Sequence, residues 1–409
     1  MPNFSIALSG LNASDTALAT ISNNLANLNT VGYKKATVNF QDMFYQLLGS
    51  NGSGDKMQVG AGTTVSSINT NFTSGSPQNT GVSTDVAIYG NGFFVVRNGS
   101  ETCYTRAGDF TKDGTGNLVT SDGSEVMGYP AINGVVNTKG ALTPINVQDG
   151  MINPPSATAN ISIGAKLSAS AAVGDSYSTS ITVYDSLGTS HVLNVDFTRS
   201  ATGWDYKATL PSSEITGGTG TNTTVKSGSL TFDSNGVLTS TTPVAFSIAN
   251  LADGAGTLAF NWNLANSSGT GLITQVAGAS VTNSSTQDGY TSGTLTSFSI
   301  GSDGTVKGSF TNGTKVIGQI ALASFSNVQG LSKQGGSTYN ATLASGSAVI
   351  GTPGTGSLGT LIGSALELSN VDMSTEFSNL IIAERGFQAN AKSVTTFDQI
   401  AQDTINLTR

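Results

Sequence analysis

The feature that most constrains this chain is the contrast between its two ends and its middle. Residues 3–28 carry apolar side chains in a seven-residue repeat. Phe4, Leu11, Leu18 and Leu25 form one seam, and Ala7, Ser14, Ile21 and Leu28 form a second, three residues on. That is the a/d pattern of a helix packing along another helix. Residues 373–407 present Phe377, Leu380, Ile381, Phe387, Ala391, Val394, Phe397, Ala401 and Ile405, with spacings of three and four dominating. That is again a helix stripe. Asp372 is placed to cap the second helix, with Glu376 in its first turn where a negative charge suits the dipole. Gly32, closing Asn29-Thr30-Val31-Gly32, can take the left-handed conformation that ends the first. At 1.5 Å per residue the two helices would be roughly 39 and 50 Å long. Asp15 is the only charge in the first helix, and Ser, Thr and Asn fill the rest of its polar face. A solvated helix normally carries charge outward, so this one is suited to being covered on several sides. From pattern alone, the two helices either pair within one chain to cap a β-domain or order against copies in neighbouring subunits.

The middle reads differently. Short alternating strands are broken by Gly, Asn and Asp. Asp85–Ile88 and Phe93–Val96 flank Gly90-Asn91-Gly92, which predicts a hairpin. Ile181–Tyr184 and His191–Phe197 around Asp185-Ser186-Leu187-Gly188 predict a second, and Phe298–Ile300 and Val306–Phe310 around Asp303-Gly304 a third. Only 10% of the 409 residues are charged and 51 are glycine, yet 37% are hydrophobic and the net charge is −8. Disorder usually pairs low hydrophobicity with high net charge, so turn-rich β-structure is the expectation. The fold class is therefore mixed, mainly β: antiparallel β-domains inserted between N- and C-terminal α-helices. The strand-rich region divides near Pro154-Pro155 and near Asn283–Thr286, and Gly351–Gly356 reads as a flexible linker.

Several chemistries are excluded. A nucleic-acid binder needs a basic stripe. This chain has 17 basic residues against 25 acidic ones, and its largest basic cluster, Lys34-Lys35, reads as a solvated turn. One Cys and one His cannot supply the three or four protein ligands of a zinc site. Cys103, in a β-like run, reads as a small buried hydrophobe. Gly90-Asn91-Gly92 lacks the third glycine and the following helix of a dinucleotide fingerprint. Asp109, Asp113 and Asn117 lack calcium-loop spacing, and turn chemistry accounts for them. Asp185, Ser186 and His191 lie in one hairpin without a nucleophile elbow. No cofactor, no metal and no catalytic residue is expected. The N-terminus lacks the basic and apolar regions of a cleaved signal peptide, and no apolar run approaches the ~18 residues of a membrane helix.

The helical ends also carry longer motifs. Ser9-Gly10-Leu11-Asn12-Ala13, Ile21-Ser22-Asn23-Asn24-Leu25-Ala26-Asn27 and Thr30-Val31-Gly32-Tyr33-Lys34 resemble the N-terminal signature of flagellar rod and hook proteins. Leu366-Glu367-Leu368-Ser369-Asn370-Val371-Asp372, Glu376-Phe377, Leu380-Ile381 and Arg385-Gly386-Phe387-Gln388-Ala389-Asn390 are similar to their C-terminal signature. Glu384 and Ala391 depart mildly from it, standing where Gln and Ser are more usual. Gly90–Phe94 and Tyr104–Phe110 resemble the first β-domain of both groups, as do Gly116–Val119 and Gly128-Tyr129-Pro130. Thr182–His191 resembles the outer β-domain of hook proteins.

The resemblance implies a structural hook subunit, with a distal rod protein as the alternative; a secreted β-rich adhesin or enzyme is a third, remoter reading. It implies that 1–30 and 366–409 form a coiled-coil inner tube lining an export channel. Residues 31–70 would connect that tube to a first β-domain (71–150, completed by 286–365), with 151–285 outermost. The implied partners are further copies of the chain, the distal rod protein, the hook cap, the hook-length control protein, the hook-filament junction proteins and the flagellar type III export apparatus. The implied place is the extracellular hook, reached without a cleaved signal peptide. Assembly would run through Phe4, Leu11, Leu18, Ile21, Leu25, Leu28, Phe377, Leu380, Ile381, Phe387, Val394, Phe397 and Ile405. Asn23, Asn24, Asn27, Gly32, Tyr33, Asn370, Asp372, Gln388 and Asn390 carry the family motifs.

Overall fold

The computed structural model of the protein describes residues 2–44, 46–50 and 56–407. Met1, Thr408 and Arg409 of the expected terminal segments, and Tyr45 and residues 51–55 of the expected connector, lie outside the described residues. Helix α1 spans Pro2–Ala26 and helix α2 spans Met373–Leu407. The chain between them is built of short, chiefly antiparallel strands. The mainly β class with a helix at each end is the one the sequence predicts. Among the described residues no helix is long and apolar enough to cross a membrane.

The chain forms two compact units. The first comprises Met1–Asp149, Ser297–Ser309 and Thr314–Arg409; the second comprises Gly150–Thr296 and Phe310–Gly313. In the first, the strand Phe93–Asn98 lies between Glu101–Thr105 on one side and Glu125–Ile132 with Leu322–Ser324 on the other. Its apolar run Phe93-Phe94-Val95-Val96 is buried on both faces. Phe94 and Val96 pack with Val86, Ile88, Phe110 and Val126, while Phe93 and Val95 pack with Tyr104, Met127 and Tyr339. Each such side chain contributes about 1.5–3 kcal/mol on burial.

Both edges of the strand Phe93–Asn98 are taken by those partners, and the first expected hairpin is absent. Val86–Tyr89 pairs with Thr360–Gly363, not with Phe93–Asn98. Gly90-Asn91-Gly92 is a crossing whose carbonyls are taken from outside: Gly90 O accepts from Arg106 Nη2 at 2.8 Å, and Asn91 O accepts from Gly359 N–H at 2.7 Å. Gly351–Gly356 is likewise not an open linker. Val349–Gly351 pairs with Leu322–Ser324, Pro353 is buried, and Gly354 N–H donates to Gly359 O. Composition registered its glycines but not these partners.

The other two hairpin turns form. Tyr184 pairs with Ser190, and the Asp185 Oδ1 between them accepts from the N–H groups of Leu187 and Thr189 at 2.8 Å. Gly301 N–H donates to Thr305 O at 2.8 Å. Asp113 is also a turn residue. Its Oδ1 accepts from the Thr115 hydroxyl and from the N–H groups of Thr115 and Asn117, and these bonds, led by the hydroxyl, hold its carboxyl below the usual carboxylate range. Cys103 is half-buried opposite Val96, and burial raises its thiol pKa.

The second unit stacks two sheets. An antiparallel meander runs Ser176–Tyr184, Ser190–Arg199, Trp204–Pro211, Asn222–Leu230. The other sheet centres on Asn160–Ser168, which pairs antiparallel with Val281–Gln287 and parallel with Leu258–Asn263 and Ile273–Val276. Those two parallel pairings depart from the antiparallel expectation and require the long excursions that separate the partners in sequence. One core joins the sheets, with Trp262 edge-on to Tyr206 at 5.2 Å and close to Phe197.

Candidate assembly site

The helices of the first unit pack along each other, and α1 also packs along the strands Ala36–Asp42 and Thr63–Thr70. Contact between α1 and α2 depends on small residues. A Cβ on Gly10 would sit 2.8 Å from Asn390 Nδ2, and one on Gly386 would sit 3.5 Å from Ser14 Oγ. Among the described residues the buried side chains of α1 are Ala7, Ala13 and Asn24. The large apolar positions remain at least partly open. Leu11, Leu18, Ile21, Leu25, Leu28, Leu380, Phe387, Val394 and Phe397 are half-buried, and Phe4, Phe377, Ile381 and Ile405 are exposed. Leu8, Met373, Ile382 and Ile400 are exposed as well. Sequence periodicity did not single out these four. Ile382 is 69% exposed and opens onto a groove of about 670 Å³ lined also by Ala17, Ile21, Val38, Phe40 and Ala383.

The roots of the two helices meet in a polar latch. Asn24 is buried, and its amide does the work of a strand neighbour. Its Nδ2 donates to Ala36 O at 2.8 Å and its Oδ1 accepts from Ala36 N–H at 2.9 Å. The same amide reaches Glu376 Oε2 at 3.2 Å and accepts from the Tyr33 hydroxyl. Asn370 repeats the device. Its Oδ1 accepts from Lys35 N–H, and its Nδ2 donates to Asn71 O and Thr73 O. Gly32, at φ +66°, turns the chain so that its N–H donates to Glu367 O at 2.8 Å.

At the centre lies Glu367, 1% exposed. Its Oε1 accepts from Lys34 Nζ at 2.6 Å and from Gly75 N–H at 2.8 Å, and its Oε2 from Arg106 Nη1 at 3.3 Å. Arg106 also lies over the Phe93 ring. Two buried cations thus share one carboxylate. Burial is the main reason that the Lys34 ammonium and the Arg106 guanidinium both have lowered pKa values, and Glu367 opposes the shift. Lys34 is therefore not the solvated turn residue that its sequence suggested. Lys35 lies 3.7 Å from Glu376. Burial and the Glu376 charge raise the Tyr33 phenol, and burial together with Tyr33 pushes Tyr339 up to about 12.

The latch brings together Asn24, Gly32, Tyr33 and Asn370 from the motif residues. Others lie elsewhere. Asn23 and Asn27 bond to each other at the end of α1, Gln388 donates to Glu384 on the exposed face of α2, and Asn390 faces Gly10. Asp372 caps α2, accepting from Thr375 N–H at 2.7 Å. That bond is the first cause of its lowered pKa, so the cap is present above 3.8, the ordinary value, and is lost as pH falls through the lowered one. Asp372→Ala should accelerate hydrogen exchange at the Thr375 and Glu376 amides and leave the middle of α2 unchanged. Uniform acceleration along α2 would mean that Asp372 acts on something other than the helix start. Glu367 and Arg106 stood only inside motifs, and Glu376 only inside a motif and as a first-turn acid of α2; sequence marked none of the three as a member of an ion-pair network. The available signal was an acid flanked by leucines, Leu366-Glu367-Leu368, in a chain with few charges.

Comparison with known proteins follows the same division. "Flagella basal body rod protein" matches residues 4–34 and "Flagellar basal body rod FlgEFG protein C-terminal" matches 362–407. "Flagellar hook protein FlgE/F/G D1 domain" matches 87–166, and "Flagellar basal body protein FlaE D2 domain" matches 156–290. Flagellar hook protein FlgE of Escherichia coli strain K12 is 38% identical, covering 99% of each chain. The chain belongs to the flagellar hook protein family. The hook proteins of Salmonella typhimurium and Treponema pallidum are 37% and 34% identical, each covering at least 98% of both chains. The crystal structure of Helicobacter pylori flagellar hook protein FlgE2 superposes with a TM-score of 0.53 over 71% of this chain and all of that one. It is 15% identical, and so speaks to the fold alone.

Proposed function

We propose that the chain is a structural subunit of the bacterial flagellar hook and polymerises through α1 and α2. The observation that carries this reading is the incomplete cover of the helices: two long apolar stripes with Phe4, Phe377, Ile381, Ile382 and Ile405 left exposed. Single exposed apolar residues are ordinary, but several large ones on a pair of packed helices mark an interaction surface. Copies of the same helices are the natural cover, and repetition of one such contact builds a tube.

In that tube, 1–30 and 366–409 line the channel, 31–70 connect it to the first β-domain (71–150 with 286–365), and 151–285 lie outermost. A torque-bearing joint needs firm inner contacts and yielding outer ones. The latch anchors the inner helices firmly to the first unit. Ser- and Thr-rich outer surfaces suit wet contacts that rearrange at little cost. The subunit works without catalysis and without a cofactor. It leaves the cell unfolded through the flagellar type III export apparatus and takes its place in the extracellular hook. Beneath it stands the distal rod protein and beyond it the hook-filament junction proteins, with the hook cap and length-control protein acting during growth.

Purified full-length protein, raised in concentration or salt, should form hollow tubes in negative-stain electron microscopy. A truncation lacking 1–30 and 370–409 should stay monomeric. A full-length chain that stays monomeric with both helices protected from hydrogen exchange would sink the reading.

A further inference from the structure

The second unit holds a charged cluster that assembly through the helices does not use. His191, the only histidine of the chain, is 3% exposed and lies at the start of the strand Ser190–Arg199. Carboxylates from three separate segments face it. Glu214, ending the one-turn helix Ser212–Glu214, places Oε2 at 2.8 Å from Nδ1. Asp185, in the hairpin turn and fully buried, places Oδ2 at 3.2 Å from Nε2. Asp253, in the loop after Leu251, lies 3.9 Å from Nε2. Both ring nitrogens therefore face groups that only accept. A neutral imidazole has one N–H and would set the lone pair of its other nitrogen against a carboxylate oxygen. The imidazolium donates from both.

We propose that His191 is a proton-held clasp: as an imidazolium it fastens three loops at one end of the second unit, and its deprotonation with rising pH loosens them.

The segments it joins belong to both sheets. Asp185 sits in the turn between the first two strands of the meander, and Glu214 follows the third. Asp253 lies between Val244–Ile248 and Leu258–Asn263 of the facing sheet. Backbone bonds run along the same seam: Thr216 N–H to Asn250 O at 2.8 Å and Ala252 N–H to Glu214 O at 2.9 Å. Asp185, Glu214 and Asp253 are the charged groups in ion-pair reach of the ring, and among the described residues no lysine or arginine is paired with them. The imidazolium is thus their counter-charge.

The titration directions agree with the geometry. Burial alone would lower the imidazole pKa, but the bonds to Glu214 and Asp185 outweigh it and the net shift is upward. The Asp253 carboxyl is lowered to about 2, with neighbouring Asp185 the first cause and the Ala255 N–H the next. A raised histidine contributes stability that is complete below its unfolded value of 6.5 and is lost as pH rises through the folded value. The depressed Asp253 contributes stability above 3.8 that is lost as pH falls towards 2. The clasp is therefore closed between those limits and opens on the alkaline side.

The proposal does not rest on the hook reading, and the full chain suits its test. The only histidine gives one imidazole signal by nuclear magnetic resonance. Both tryptophans, Trp204 and Trp262, lie in the core of this unit, so tryptophan fluorescence reports its unfolding. The imidazole should titrate above 6.5. As pH rises through that value the fluorescence melting midpoint should fall by roughly 3–5 °C per unit of upward shift, and His191→Gln should abolish the fall. Should that variant not fold, Glu214→Gln keeps the ring and should move its pKa back towards 6.5. An imidazole pKa at or below 6.5, or a pH dependence that survives in His191→Gln, would overturn the clasp. Stoichiometric zinc binding that displaces the imidazole proton would overturn it in favour of a metal site.

Discussion

Glu367→Gln should destabilise the first unit by about 3–5 kcal/mol, the usual cost of removing one partner from a buried ion pair. The latch makes the upper part of that range the expectation. Glu367 faces two cations, Lys34 and Arg106, all three at most 2% exposed in their side chains. A glutamine in its place still accepts hydrogen bonds but leaves two buried positive charges uncompensated. Lys34→Met makes the contrast. It removes one cation and leaves Arg106 and Glu367 balanced one to one. Thr73 O then loses the Lys34 ammonium but keeps Asn370 Nδ2. The expected loss is smaller, about 1.5–3 kcal/mol, the range for a hydrogen bond to a charged group. Calorimetric unfolding of both variants measures the difference. A Lys34→Met protein as unstable as Glu367→Gln would show that the balance of charge is not what holds the latch. Glu367→Gln should also impair tube formation at temperatures where the unit is still folded, because Lys34, Gly75 and Arg106 all bond to its carboxylate.

The latch also marks the limit of what sequence makes legible. The helices were visible because a periodic apolar stripe is a local property: α1 and α2 fall close to residues 3–28 and 373–407. The cap at Asp372 and the left-handed Gly32 were visible for the same reason, since each acts within a few residues of itself. The Asp185 turn formed as read because its bonds close within four residues. Long-range pairing was not legible. Gly90-Asn91-Gly92 looks like a hairpin turn, yet the partner of Val86–Tyr89 lies some 270 residues on, at Thr360–Gly363. In the second unit, alternation in short runs such as Leu258–Asn263 marks strands but not which sheet each joins. The charged residues were hardest. Lys34 reads as a surface residue by type, and only the fold supplies Glu367, 333 positions away. His191 was weighed only with Cys103 as a zinc set and with Asp185 and Ser186 as a hydrolase set, because Glu214 and Asp253 come from other loops. The helix contact itself was half legible. The heptad predicts large seams, while the closest approach uses Gly10, Ser14, Gly386 and Asn390 and leaves the large residues for other partners.

Gly32→Ala should cost about 2–5 kcal/mol, more than its single methyl group suggests. Two terms add. Gly32 sits at φ +66°, where an L-residue with a side chain costs about 1–2 kcal/mol. Its Cβ would also lie 2.6 Å from Ala107 N and 2.7 Å from Arg106 C. Those are backbone atoms, which cannot rotate aside, so overpacking adds about 1–3 kcal/mol. Gly81→Ala isolates the first term, because Gly81 has φ +73° and no atom within 4 Å of the added carbon. The excess of Gly32→Ala over Gly81→Ala in thermal unfolding is therefore the contribution of close packing between the end of α1 and the Arg106–Ala107 segment. Relief of the clash pushes these two segments apart, and both lead into the latch. Gly32 donates to Glu367 O, and Arg106 carries the guanidinium that Glu367 neutralises. Gly32→Ala should accordingly weaken the Glu367 contacts and slow polymerisation, whereas Gly81→Ala should polymerise normally. Equal losses in the two variants would mean that the approach of Gly32 to Ala107 does nothing beyond accommodating a turn, and that the latch reaches α1 through Asn24 alone.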